Sequence, residues 1–195
     1  MTNWESIPET IPLHYNYLGE PDNWGNKVNL LYLAIFIPIG SYVLLLLAEF
    51  IDPKKKISSM EGKFYSIRVV FSVIMSGIIL IIAYANVNKL VSIDHYIYIL
   101  LGILFVFLGN YFNNLKPNYF IGFRTPWTLE NETVWRRTHQ KCSIVWLIGG
   151  LIIIAVNIIP VLIPIALPIN VGILLIIVAI PIIYSYMEYR KVVQG

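Results

Sequence analysis

The sequence predicts an all-α fold: a polytopic membrane bundle of about five transmembrane helices, N-terminus outside and C-terminus inside, with a cytoplasmic amphipathic loop-helix at the interface. Three observations lead there. The 195-residue chain is 57% hydrophobic and only 13% charged, against about 45–50% and about 25% in soluble domains. Its mean hydropathy is +0.71. Five apolar stretches, 28–48, 69–87, 96–112, 143–163 and 169–186, contain no Asp, Glu, Lys, Arg or His, and each is long enough, or nearly so, to cross a hydrocarbon core that needs roughly 20 helical residues. The third is short and is expected to borrow from 93–115.

Residues 1–27 form a polar tail. Its opening residues are polar and acidic, without the apolar core or small-residue cleavage site of a signal peptide, so the first apolar span is expected to direct insertion itself. Pro12, Gly19, Pro21 and Gly25 punctuate the tail into turns. His14, Asn16, Asp22, Asn23 and Trp24 sit around those turns, and Trp24 with Lys27 would anchor at the outer headgroups. Two readings stand side by side here: an ordered cap on the first span, or an outward recognition surface. His14 with Glu20 and Asp22 is the best candidate metal set, and a weak one, since zinc needs several converging ligands.

Residues 28–113 hold spans one to three. Pro38 and Gly40 can bend the first. Ser72, Ser76 and Gly77 give the second a small face for close helix contact. Asn110, near the end of the third, and Asn157, in the fourth, are expected to bond to neighbouring helices. Lys54, Lys55, Lys56, Lys63 and Arg68 make the first connection basic, whereas the second has only Lys89 and Asp94.

Residues 114–142 are the long polar segment lying between apolar ones. Lys116, Arg124, Arg136, Arg137 and Lys141 interleave with Tyr119, Phe120, Phe123, Trp127 and Trp135. Cations alternating with large rings suit a membrane surface, where rings lie at headgroup level and cations meet anionic lipid. Pro117, Gly122 and Pro126 preclude one regular helix over 116–127. From Thr128 a helix is expected, capped by Thr128 or Asn131, with Glu130 and Glu132 in its first turn. The segment is either a plain interfacial connection or a working surface.

Residues 143–195 hold spans four and five and a tail with Arg190 and Lys191. Pro160, Pro164 and Pro168 recur every fourth residue and should break the chain into a stiff turn between these spans. Pro181 can kink the last one. Basic and non-basic connections alternate strictly along the chain, so the positive-inside effect places 114–142 in the cytoplasm and the tail outside.

The net charge of +3 is small, and its cations flank apolar spans. It therefore points to lipid rather than to direct nucleic-acid binding. Cys142 is the lone cysteine, so neither an intrachain disulfide nor a multi-cysteine metal site can form. No zincin, nucleophile-elbow or Walker-type motif occurs, and no catalytic residue or cofactor is expected.

Two patterns carry a resemblance. Lys116, Pro117, Asn118, Gly122, Arg124, Thr125, Pro126 and Trp127, followed by Asn131, Glu132, Val134, Trp135, Thr138 and His139, closely resemble the signature of the SdpI family of bacterial membrane proteins. Pro12, His14, Asn16, Gly19, Pro21, Asp22, Trp24 and Lys27 are similar to the small domain that often precedes it. Members usually carry a further span ahead of that tail; this sequence begins after it, and the order of the remaining spans is expected to be unchanged. The resemblance implies a bacterial cytoplasmic-membrane protein that is not an enzyme and guards the producing cell against a secreted, membrane-active peptide toxin. It also implies signalling, in which toxin engagement lets the protein hold a transcriptional repressor at the membrane. On that basis the outer set His14, Asn16, Gly19, Asp22, Trp24 and Lys27 is the candidate toxin surface, the signature residues are the cytoplasmic reporter, and Arg124 and Trp127 around Thr125–Pro126 are its pivot. The competing readings are a small membrane enzyme or transporter for lipid-linked or phosphorylated substrates, built on a cavity lined by Arg124, His139 and Asn110, and a structural subunit of a membrane complex.

Overall fold

A computed structural model describes residues 4–16, 20–52, 57, 60, 62–88 and 93–194. Among them, five helices are long and apolar enough to cross a membrane: α1 (Val28–Ile51), α2 (Lys63–Asn88), α3 (Asp94–Phe112), α5 (Glu132–Ile158) and α6 (Ala166–Gln194), with a short helix, α4 (Pro126–Glu130), between α3 and α5. Lys54, Lys55, Lys56, Lys89 and Gly19 lie outside the described residues.

Helices in lipid gain nothing from hiding apolar faces from one another, so they associate where backbones come close. The α3–α5 seam shows how. A Cβ on Gly150 would stand 2.6 Å from the Gly102 carbonyl oxygen, and one on Gly109 would stand 2.7 Å from the Leu147 amide nitrogen. Only glycine permits that approach. On the other side α2 packs on α1 through Ser72, whose hydroxyl donates to the Pro38 carbonyl at 3.2 Å. Ser41 donates to the same carbonyl at 2.8 Å. A carbonyl oxygen has two lone pairs, so one backbone group of α1 serves both hydroxyls and ties the two helices together within the apolar layer. Thus α1–α2 and α3–α5–α6 form two sub-bundles.

The expected turns of the tail are a β-hairpin. β1 (Thr10–Tyr15) pairs antiparallel with β2 (Pro21–Asn26), with register irregularities around His14. The reason lies in the alternation of Ile11, Leu13 and Tyr15: Ile11 is fully buried, and with Ile7 and Leu30 it packs on Leu13, Ile82, Ala83 and Val87. A Cβ on Gly25 would meet Leu13 at 2.3 Å, so the hairpin seats on the α1–α2 end only with glycine there. The hairpin and the start of α3 lie at one end of the bundle. Asp52, Ile57 and Met60, residues 113–131 and the end of α6 lie at the other.

Three boundaries differ from expectation. The segment after Thr128 is two helices. Thr125, not Thr128, caps α4, its side chain accepting from the Thr128 amide, and Asn131 caps α5 by accepting from Thr133 and Val134 at 2.9 and 3.1 Å. Glu130 therefore belongs to α4 and only Glu132 to the first turn of α5. Second, the expected interfacial helix and fourth span are one continuous rod. Its 27 residues reach about 40 Å at 1.5 Å per residue, more than the roughly 30 Å of a hydrocarbon core. Third, that rod ends at Ile158, and Pro160–Ile165 is a 3-10 turn leading into α6. Asn157 bonds across this turn to Asn170 in both directions, at 3.0 and 3.3 Å. Asn110, expected to do likewise, is exposed.

Candidate functional site

The signature residues fold into an interlocked knot where α3, α5 and α6 meet. Asn118 starts it. Its side chain is buried, donates to the Lys116 carbonyl at 2.9 Å, and accepts from the amides of Phe120 and Ile121, both at 2.8 Å. An asparagine closing a turn on its own backbone satisfies donors that no helix could. The chain then reverses at Gly122, whose φ of +103° a side chain would rarely tolerate.

His139 is the keystone of this fold. It is 1% exposed. Its Nε2 accepts from the Phe123 amide at 3.0 Å, and its Nδ1 donates to the Trp135 carbonyl at 2.8 Å. An acceptor nitrogen carries no proton, so these two bonds fix the ring as the neutral Nδ1–H tautomer. A Cβ on Gly122 would stand 2.3 Å from Nε2, which shows how closely loop and ring fit. Trp135 stacks on His139 with ring centroids 4.1 Å apart and donates its indole N–H to the Leu115 carbonyl at 2.7 Å. Phe112, Phe123 and Trp146 complete the packing, edge to face or tilted, at 4.7–5.9 Å.

The second half of the signature binds α6. The Thr125 hydroxyl donates to Ser185 at 3.2 Å, and the Thr128 hydroxyl donates to the Phe123 carbonyl at 2.7 Å. Pro126 occupies the first turn of α4, where its missing N–H is no loss. Trp127 rests against Tyr186, ring centroids 5.1 Å apart. Arg124 is exposed and its guanidinium donates to the Tyr119 carbonyl. Lys116 is exposed and Pro117 half-buried. Thr138 is fully buried, and its hydroxyl oxygen has no hydrogen-bond partner among the described residues.

Sequence reasoning missed the α6 side of this knot. Glu188 is buried and takes Arg137 at 2.9 Å and Lys191 at 2.7 Å, one on each oxygen. The available signal was slight: a single carboxylate among the basic residues of the last helix. A second missed pair, Arg68 with Glu49 at 2.8 Å, links α2 to α1 beneath Tyr42, Phe64 and Tyr65.

The outer motif residues serve the hairpin's own closure. His14 contacts Asp22 at 2.5 Å. Asn16 is held to Glu20 by backbone and side-chain bonds of 2.8–3.3 Å. Lys27, expected at the headgroups, is instead buried: its ammonium pairs with Glu9 at 2.8 Å and lies 5.2 Å from the centre of the Trp4 ring. Trp24 does stand free, at 57% exposure. Gly19 falls outside the described residues. Among the described residues no group of three or more His, Cys, Asp or Glu could hold a metal. Among the described residues, Arg124, His139 and Asn110 do not line a common cavity: Arg124 and Asn110 are exposed while His139 is sealed in the knot.

Comparisons with known proteins bear on both motifs. A family model described as the SdpI/YfhL protein family matches residues 114–185, and one described as a domain of unknown function (DUF1648) matches residues 1–38. The protein named Immunity protein SdpI from Bacillus subtilis (strain 168) is 41% identical over 63 residues, covering 32% of this chain and 30% of that protein. The match thus spans less than a third of that relative's length. No solved structure matches the chain.

Proposed function

Because residues 114–185 match the SdpI/YfhL family model, we propose that this chain is a member of that family and an immunity protein of the bacterial cytoplasmic membrane, protecting its cell against a secreted peptide toxin that acts on that membrane. The observation that carries this reading is the likeness to a protein named for immunity, together with the folding of the matched signature into one sealed unit built on His139.

The mechanism has two faces. With the hairpin outside, as the charge asymmetry predicts, Trp24 and the outer helix ends engage an amphipathic peptide and keep it from inserting. His14, Asn16, Asp22 and Lys27 act by holding that surface in shape. With the knot in the cytoplasm, the signature segment reports occupancy to a transcriptional repressor. Reporting requires that toxin bind two arrangements of the bundle with different affinity. The contact of Thr125 and Trp127 with α6 supplies a joint at which such arrangements could differ.

The test is protection. A toxin-sensitive bacterium expressing the chain is challenged with toxin while membrane potential is followed. The expected result is preserved potential, with Trp24→Ala and Trp127→Ala each weakening protection or its reporting more than Lys63→Ala does. Depolarisation matching that of cells without the protein would overturn the proposal.

A further inference from the structure

An apolar cavity of about 300 Å³ lies between the two sub-bundles, at the knot's end of the membrane layer. Leu45 of α1 and Ile67 and Phe71 of α2 form one wall, and Leu108 of α3 and Trp146 of α5 form the other. Its floor is the signature backbone itself, from Phe120 to Phe123. Every lining residue is apolar or glycine.

Three features decide what fills it. Water is a poor occupant, since it needs several polar partners, and apolar cavities of even about 150 Å³ stay dry and take up hydrocarbon instead. The signature loop forms the floor and helices long and apolar enough to cross a membrane form the walls, so an opening between those walls meets the membrane layer. The medium at that opening is acyl chain. Lys63 precedes the wall residue Ile67 by one helical turn and Arg124 follows the floor residue Phe123, and both are exposed, as cations suited to a lipid phosphate would be. We infer that this cavity is a binding site for one acyl chain of a membrane phospholipid, which completes the core beneath the signature loop. A bound chain supports Phe120 and Phe123 from below, so the knot is seated on lipid as well as on protein. This site does not depend on the toxin reading and stands or falls separately from it.

The experiment uses the full chain in nanodiscs of phosphatidylethanolamine and phosphatidylglycerol, doped with a phospholipid carrying a diazirine in its acyl chain. After irradiation and digestion, adducts are mapped by mass spectrometry. The expected result is labelling of Phe120, Ile121 or Phe123, in addition to the outward-facing Leu44 and Val73, which are 70% and 62% exposed. Leu45→Trp, whose added ring fills the cavity, is expected to lower labelling of the floor at least fivefold and leave Leu44 and Val73 unchanged. Ile67→Phe serves as a second plug should the first fail to fold. A wild-type floor free of adducts would overturn the inference, and so would floor labelling that a folded plug variant does not reduce.

Discussion

Gly122→Ala tests whether the knot is as closely fitted as its geometry indicates. Two effects add. A side chain at φ +103° strains the backbone by about 1–3 kcal/mol. The new Cβ would also stand 2.3 Å from His139 Nε2 and 2.8 Å from Leu115 Cδ2. The ring must then withdraw, and it leaves the Phe123 amide without its acceptor, a further loss of about 1–3 kcal/mol for a buried donor. The sum, about 2–6 kcal/mol, lowers a thermal midpoint by about 10 °C if each kcal/mol moves it 2–4 °C. The chain carries its own probe: Cys142 is its single thiol, fully buried in the cluster that contains Trp135, Phe112 and Leu115. A fluorogenic maleimide therefore reacts only once that cluster opens. Gly40→Ala is the control, because a Cβ there meets nothing within 4 Å and the position is mid-helix, where alanine is favoured over glycine by about 1 kcal/mol. The expected order of thiol-reaction midpoints is Gly40→Ala at or above wild type and Gly122→Ala well below it. Because both changes strike one hydrogen bond, Gly122→Ala combined with His139→Ala should lose less than the sum of the single losses. If Gly122→Ala reacts at the same temperature as Gly40→Ala, the reasoning about the keystone is wrong.

Two further outcomes are checked with the same probe or by proteolysis in detergent. Thr138→Val keeps the shape of a fully buried side chain while removing a hydroxyl without a partner among the described residues; it is expected to leave stability unchanged or raise it by about 1–3 kcal/mol, and a loss of more than about 1 kcal/mol would show that the hydroxyl has a role the structure does not reveal. Asn157→Leu strands Asn170, which is fully buried, and is expected to cost about 1–2 kcal/mol; adding Asn170→Leu should recover most of it, whereas an equal or larger loss in the double variant would refute the reciprocal pair.

Much of the architecture was legible in the sequence because lipid imposes one strong condition: a span must be apolar and must satisfy its own backbone. The five apolar stretches free of charge correspond to the five long helices, and of the proline series Pro160 and Pro164 fall at the break between α5 and α6, with Pro168 in the first turn of α6. Asn131 was legible as a cap because its side chain serves the amides of Thr133 and Val134, neighbours in sequence. The β-hairpin was harder to read. Its Ile11 and Leu13 alternate over only a few residues, and their partners Ile82, Ala83 and Val87 are far along the chain.

What the sequence determined by itself was thus whatever depends on near neighbours and on the solvent: membrane class, number of spans, the Asn131 cap, turn breakers, and the two motifs that match family models. Only the tertiary structure decided the roles of the motif residues. Lys27 looked like a headgroup anchor and is a buried partner of Glu9. His139 looked like one residue of a basic surface and is a neutral bridge from α5 to the Phe123 amide. Glu188 attracted no notice and gathers Arg137 and Lys191. The physical reason is common to all three. A polar side chain takes its charge state and its purpose from the atoms within about 3 Å of it, and the deciding partners here, Glu9 for Lys27, the Phe123 amide for His139 and Arg137 for Glu188, lie on other elements, at distances along the chain that give no hint of the meeting.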